Sequence, residues 1–280
     1  MQLALNGATT MKADLLTDIR AAHHAGFDLL EIWASKLRDY LKNHSTQQLR
    51  RELERHHLRA YSINSIEQIT FRSSDAHVAL LAECEQLCHI AQEIGCEHIV
   101  VVPSPRPAGV SDEEVITESV LVLHDLSDVA ARYGVKLAFE FLGFAECSVR
   151  TLDASLEVVS RLARPDVGLV LDSFHFYVGG SRLESVARLR PEQLFIFHIN
   201  GAEDRPRDQL RDAHRLLPDE GILPLKELWS ALQAIGYNKM ASVEIFRPEY
   251  WERDPIELAV AAKRAAERAL GLNSHQMEPQ

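Results

Sequence analysis

The sequence has no excess of positive charge, no long apolar run and no paired-cysteine motif, and each absence removes a class of function. Thirty lysines and arginines face 41 aspartates and glutamates, for a formal net charge of −11. A phosphate-backbone binder needs a concentrated basic face, so no nucleic-acid partner is expected. No run of about 18 apolar residues occurs, and the opening MQLALNGATTMKAD has neither the basic stretch nor the apolar core of a secretory leader. A cytoplasmic protein with no membrane partner is therefore expected. The four cysteines, Cys84, Cys88, Cys96 and Cys147, include no CxxC spacing. They read as small buried hydrophobes in a reducing compartment, not as a zinc knuckle. No GxGxxG follows the first apolar run, which argues against a dinucleotide-binding open sheet. No linker rich in proline, glycine or serine divides the chain.

What remains is a soluble globular composition, 46% hydrophobic and 25% charged. Short apolar runs stand at 2–6, 28–33, 59–64, 98–103, 136–142, 167–172, 194–199 and 241–246. They are continuous, as in parallel strands covered on both faces. Amphipathic helical patterns separate them, and several end in a glycine before the next run: Gly26, Gly95, Gly134 and Gly236. Ser111 and Asp112 stand at the start of another helix, in N-cap position. Eight strand–helix units in this length predict the α/β class, as a single-domain (β/α)8 TIM barrel over 1–270. A polar tail follows over 271–280.

Function in such a barrel gathers at the C-terminal ends of the strands. Those ends read Asn6, Glu31, Asn64, Pro103, Glu140, Asp172, His198 and Glu244. One buried carboxylate could be a structural ion pair. Glu140, Asp172, His198 and Glu244, on successive strands, are harder to account for that way, because the converging carboxylates would repel one another without a cation. Three carboxylates and an imidazole suit one divalent metal ion such as Mn²⁺, Mg²⁺, Co²⁺ or Zn²⁺.

The segments AFEFLG, GLVLDSFHF, IFHI and SVEIFRPEY resemble the xylose-isomerase-like superfamily of (β/α)8 sugar isomerases and epimerases. Within it, LDSFHF and EIFRPEY are most similar to the inosose (2-keto-myo-inositol) isomerase branch of myo-inositol catabolism, and the likeness runs over nearly the whole chain. The resemblance implies that Glu140, Asp172, His198 and Glu244 bind the metal. It also implies that Glu140 and Glu244 act as the acid/base pair and that His175 binds substrate oxygens. The implied substrate is a small polyol or keto sugar. Two segments depart from the pattern: Asn200 stands where relatives carry aspartate, and Pro218-Asp219-Glu220-Gly221 replaces a Pro-Gly-x-Gly turn.

Other residues are candidates by position. Arg247 follows the VEIF run and could bind a hydroxyl or orient Glu244, and Arg205 could reach the pocket from the long loop. Trp33 could form an apolar wall, and Glu31 could orient a metal ligand. The same apparatus would serve a ketose 3-epimerase or a hydroxypyruvate isomerase. Apurinic endonucleases share the barrel, but they use several metals, extra histidines and basic loops that this acidic chain lacks.

Overall fold

The computed structural model describes residues 1–272 and forms a closed barrel of eight parallel strands. The first seven are β1 (Gln2–Asn6), β2 (Leu29–Trp33), β3 (Arg59–Ile66), β4 (His98–Val101), β5 (Lys136–Glu140), β6 (Val167–Asp172) and β7 (Leu194–Ile199). A small antiparallel ribbon, β8 (Gly201–Ala202) and β9 (Arg215–Leu216), precedes the eighth barrel strand, β10 (Met240–Val243), which pairs with β7 and β1. The expected tail lies, beyond Leu272, outside the described residues.

Helices cover the outside of the barrel: α1 (Leu15–Ala25), α2 (Ala34–Leu41), α3 (Thr46–Arg55), α4 (Ser74–Ile94), α5 (Asp112–Ala131) and α6 (Leu152–Leu162). They continue with α7 (Ser173–Val178), α8 (Leu183–Val186), α9 (Leu225–Ala234) and α10 (Pro255–Leu270). Ser111 caps α5 in a reciprocal capping box with Glu114. Gly26 and Gly95 close α1 and α4 in the left-handed conformation. A row of buried alanines on α10, including Ala262 and Ala266, allows close packing against α1 and completes the ring.

The strand alternation separates two cores. Leu5, Ile32, Ile99, Phe139, Leu171 and Ile199 point outward beneath the helices. Ala4, Leu29, Val100, Ala138, Val170, Ile196 and Met240 point into the lumen. Two residues further along, the lumen positions become Asn6, Glu31, Glu140, Asp172, His198 and Ser242, all buried. Asp172 pairs in register with His198, and His198 with Ser242, which sets them at one level. At the opposite end, Tyr61 stacks on His98 with centroids 4.7 Å apart, and His98 tilts against Phe195, filling the lumen with aromatic rings.

Several apolar runs continue past the strands they form. Val102, Phe141 and Ile245 are buried but lie beyond the last ladder residues, so hydropathy alone overruns the sheet. The stretch after β6 is not irregular but forms the short helix α7. Asp172 caps it, its Oδ1 accepting the His175 N–H at 2.9 Å. The α2–α3 pair and the β8–β9 ribbon also escaped the sequence pattern.

Gly179 ends α7 against the loop after β5, and a Cβ there would lie 2.0 Å from the Arg150 carbonyl oxygen. Gly179→Ala should therefore destabilise the protein by roughly 1–3 kcal/mol, read as a lower thermal midpoint. An unchanged midpoint would contradict this packing.

Candidate metal centre

Glu140, Asp172, His198 and Glu244 each offer one ligand atom, and those atoms all lie within 4.8 Å of one another. All four residues are buried. Four buried carboxylates, these three and Glu31, face one buried guanidinium, Arg215. The balance leaves three negative charges without a permanent cation, and a divalent ion offsets two of them. The donor set of three carboxylate oxygens and one imidazole nitrogen is chemically suited to such an ion.

His198 is the pivot. Its Nε2 lies 3.0 Å from Glu31 Oε2 and 3.2 Å from Oε1, so an Nε2–H donates to Glu31. That tautomer turns the Nδ1 lone pair toward Glu140 Oε1 at 3.0 Å and Glu244 Oε2 at 3.3 Å. Burial would hold the imidazole neutral, but Glu244, Glu31 and Glu140 outweigh it and raise its pKa well above the ordinary value. Without a metal, a proton on Nδ1 takes the cation's place.

The two glutamates differ in their surroundings. Glu244 Oε1 accepts from the side-chain amides of Asn6 at 3.0 Å and Asn64 at 2.9 Å, while Oε2 accepts from Arg215 at 3.2 Å. Glu140 has His198 as its single hydrogen-bond partner. Burial, reinforced by Glu244 and Asp172 against the pull of His198, pushes the Glu140 carboxyl up to about 8. Asp172 moves the opposite way. Burial would raise it, but Arg215, His175 and His198 hold it at about 2.

Arg215 was invisible in the sequence pattern. Ribbon β8–β9 folds it into the barrel mouth, where Nη1 donates to Asp172 Oδ2 at 2.7 Å. Its guanidinium stands 4.8 Å from the Phe174 ring centroid and 5.2 Å from that of Phe246. An arginine at the end of the polar stretch RPRDQLRDAHR has no helical or strand period to place it. The only local hint is the apolar pair Leu216–Leu217 that follows.

His175 meets donors at both ring nitrogens: Gly143 N–H at 3.2 Å and Arg215 Nη2 at 3.0 Å. A neutral ring has one lone pair, so one of these contacts is a true hydrogen bond. Burial, then Arg215, outweigh the pull of Asp172 and hold its pKa at about 4. Asn200 donates to Asp172 Oδ2 at 3.1 Å. An amide at this position thus supports the ligand without adding another negative charge. Asp219 lies away from the cluster, paired with Arg268.

A cavity of about 210 Å³ opens above the cluster, lined by Trp33, Asn64, Glu140, His175, Arg215 and Phe246 among others. Trp33 meets Phe246 edge to face at 5.5 Å. Arg205 and Arg247 do not line it. Both hold Glu203 instead, at 2.6 and 2.7 Å, and Arg205 is 46% exposed. Among the described residues no helix is long and apolar enough to cross a membrane.

A parallel eight-stranded barrel with carboxylates and an imidazole gathered at its C-terminal mouth defines a metal-binding barrel enzyme. The chain belongs to the family described as xylose isomerase-like TIM barrel, which matches residues 19–269. It is 36% identical over 266 residues to the inosose isomerase of Bacillus subtilis strain 168, covering 94% of this chain and 96% of that one. It is 35% identical to the inosose isomerase of Bacillus velezensis, covering 95% and 96%. The crystal structure of the IOLI protein with a bound zinc atom superposes with a TM-score of 0.94 at 36% identity. That likeness covers 97% of this chain and 98% of the other.

Glu31→Ala should weaken metal binding about 10- to 100-fold in calorimetry, because His198 loses the partner that fixes its tautomer. Metal affinity should also rise with pH between 6 and 8, since a proton must leave the ligand set for the ion to enter. With the Glu140 carboxyl near 8, the gain should be about tenfold per pH unit for each proton released. A pH-independent affinity would contradict the competition.

Proposed function

We propose that this chain is a divalent-metal-dependent isomerase of a keto sugar or keto-cyclitol, with 2-keto-myo-inositol (an inosose) as its substrate. The observation that carries the reading is the buried cluster of three carboxylates and one imidazole beneath a polar cavity. Full-length similarity to inosose isomerases supports the choice of substrate. A cytoplasmic location and a small polyol as partner belong to the same reading, and the acidic charge balance speaks against nucleic acid.

A divalent ion in the cluster supplies Lewis-acid polarisation of a ketone and its neighbouring hydroxyl. The protein's own groups then divide the work. Glu140 lines the cavity with few competing hydrogen bonds and a raised pKa, the properties of a carboxylate that takes and returns a proton. Glu244 is pinned by Asn6, Asn64 and Arg215, so its carboxylate keeps a fixed direction. As the second member of the acid/base pair it addresses the substrate from β10, across the barrel mouth from Glu140 on β5. Arg215 and His175 offer hydrogen bonds to substrate oxygens, and Trp33 with Phe246 forms the apolar wall. Arg205 and Arg247, engaged with Glu203 and outside the cavity lining, are given no substrate contact.

Return of the proton to the former carbonyl carbon, with the hydroxyl proton passing to the old carbonyl oxygen, moves the ketone, whereas return to the same carbon from the opposite face inverts it. NMR in deuterated solvent separates the two. Incubation with 2-keto-myo-inositol should give deuterium at the carbons flanking the ketone and a positional isomer as product. An epimer as product would replace the isomerase reading with an epimerase one, and the absence of both exchange and any product would refute the two readings. Glu140→Gln should lower the exchange rate by at least about 100-fold, and full activity in that variant would remove its assigned role.

A further inference from the structure

We propose that the buried ion pair Lys36–Asp18 positions Glu244, acting through the loop between β1 and α1. The inference rests on the reading of Glu244 as a metal ligand. The pair lies outside the cluster, on α2 and α1, with Lys36 7% and Asp18 1% exposed. Lys36 Nζ donates to both Asp18 oxygens, at 3.0 and 2.8 Å, and to two backbone carbonyls, Gly7 at 2.9 Å and Thr10 at 2.8 Å. Asp18 Oδ1 also accepts from the Thr10 hydroxyl at 2.7 Å. The pair thus grips the loop over residues 7–10 at both ends.

Between those two grips the loop reaches Glu244 by two routes. The Ala8 N–H donates to Asn6 Oδ1 at 2.8 Å, which fixes the amide so that Asn6 Nδ2 donates to Glu244 Oε1. The Thr9 hydroxyl donates to the Val243 carbonyl at 2.8 Å and accepts the Ile245 N–H at 3.2 Å. One hydroxyl therefore holds the backbone on both sides of Glu244. A chain of direct contacts connects α1 and α2 to the orientation of a single carboxylate.

Stability alone is a poor explanation for the pair. Burying both charges is costly, and well-packed apolar residues often replace such pairs without loss. Burial drives the Asp18 carboxyl up to about 7 even beside Lys36, and lowers Lys36 in turn. What apolar residues cannot supply is a donor that ties two carbonyls and a carboxylate together at one point.

Cobalt(II) titration of the purified full-length chain tests this, read by visible absorption and calorimetry. The wild type should bind one Co²⁺. Lys36→Met should bind it about tenfold more weakly, with a changed visible spectrum. Because that variant strands the Asp18 charge, Lys36→Met/Asp18→Leu is measured beside it. The double variant should regain thermal stability but keep the weak, altered cobalt site. Thr9→Val, which leaves the ion pair intact, should weaken cobalt binding in the same direction. Wild-type affinity in the double variant or in Thr9→Val would overturn the clamp while leaving the metal site standing. A wild type that binds no cobalt would overturn the metal reading and the clamp with it.

Discussion

Carboxylates crowded at one buried level of the barrel lumen set the terms for the upper half of this molecule. Two unit charges just under 5 Å apart repel by about 3–4 kcal/mol at the effective dielectric of a protein interior. A single hydrogen bond returns only about 1 kcal/mol net. The cluster therefore cannot be held by hydrogen bonds alone, and it needs positive charge. Arg215 supplies one unit, a proton on His198 a second, and a divalent ion satisfies the donor geometry better than either. Each neighbouring feature answers part of the same demand. Glu31 turns the imidazole, α7 draws off one oxygen of Asp172, and two asparagines occupy one oxygen of Glu244.

Glu140 is the exception among these carboxylates. It shares the crowding but not the surrounding donors. Its raised pKa and its place on the cavity wall follow from that difference. The difference between the two glutamates thus comes from hydrogen bonds granted to one and withheld from the other.

Much of this was legible in the sequence because a strand's end is local. Glu140, Asp172 and His198 interrupt apolar runs, and counting eight such runs predicts a barrel that brings them together. Glu31 was readable as an orienting partner for the same reason. Arg215 was not, because its burial depends on ribbon β8–β9, two residues per strand, which carries no periodic signal. Helix α7 was missed because Asp172 stands both in the candidate metal cluster and at the N-cap, and only the second place marks a helix start. Arg205 and Arg247 looked alike on paper. Their separation from the cavity depends on Glu203, which competes for both guanidiniums. The Lys36–Asp18 pair was equally hidden, since its meaning depends on which carbonyls the lysine meets.

The central claim is that Glu140, Asp172, His198 and Glu244 share one divalent ion. Anomalous X-ray diffraction from crystals of the purified protein, collected at the absorption edge of whichever metal elemental analysis finds, tests it most directly. The account predicts one strong peak per chain within coordination distance of those four side chains. A peak at other residues, or a second ion of equal strength beside the first, would contradict it.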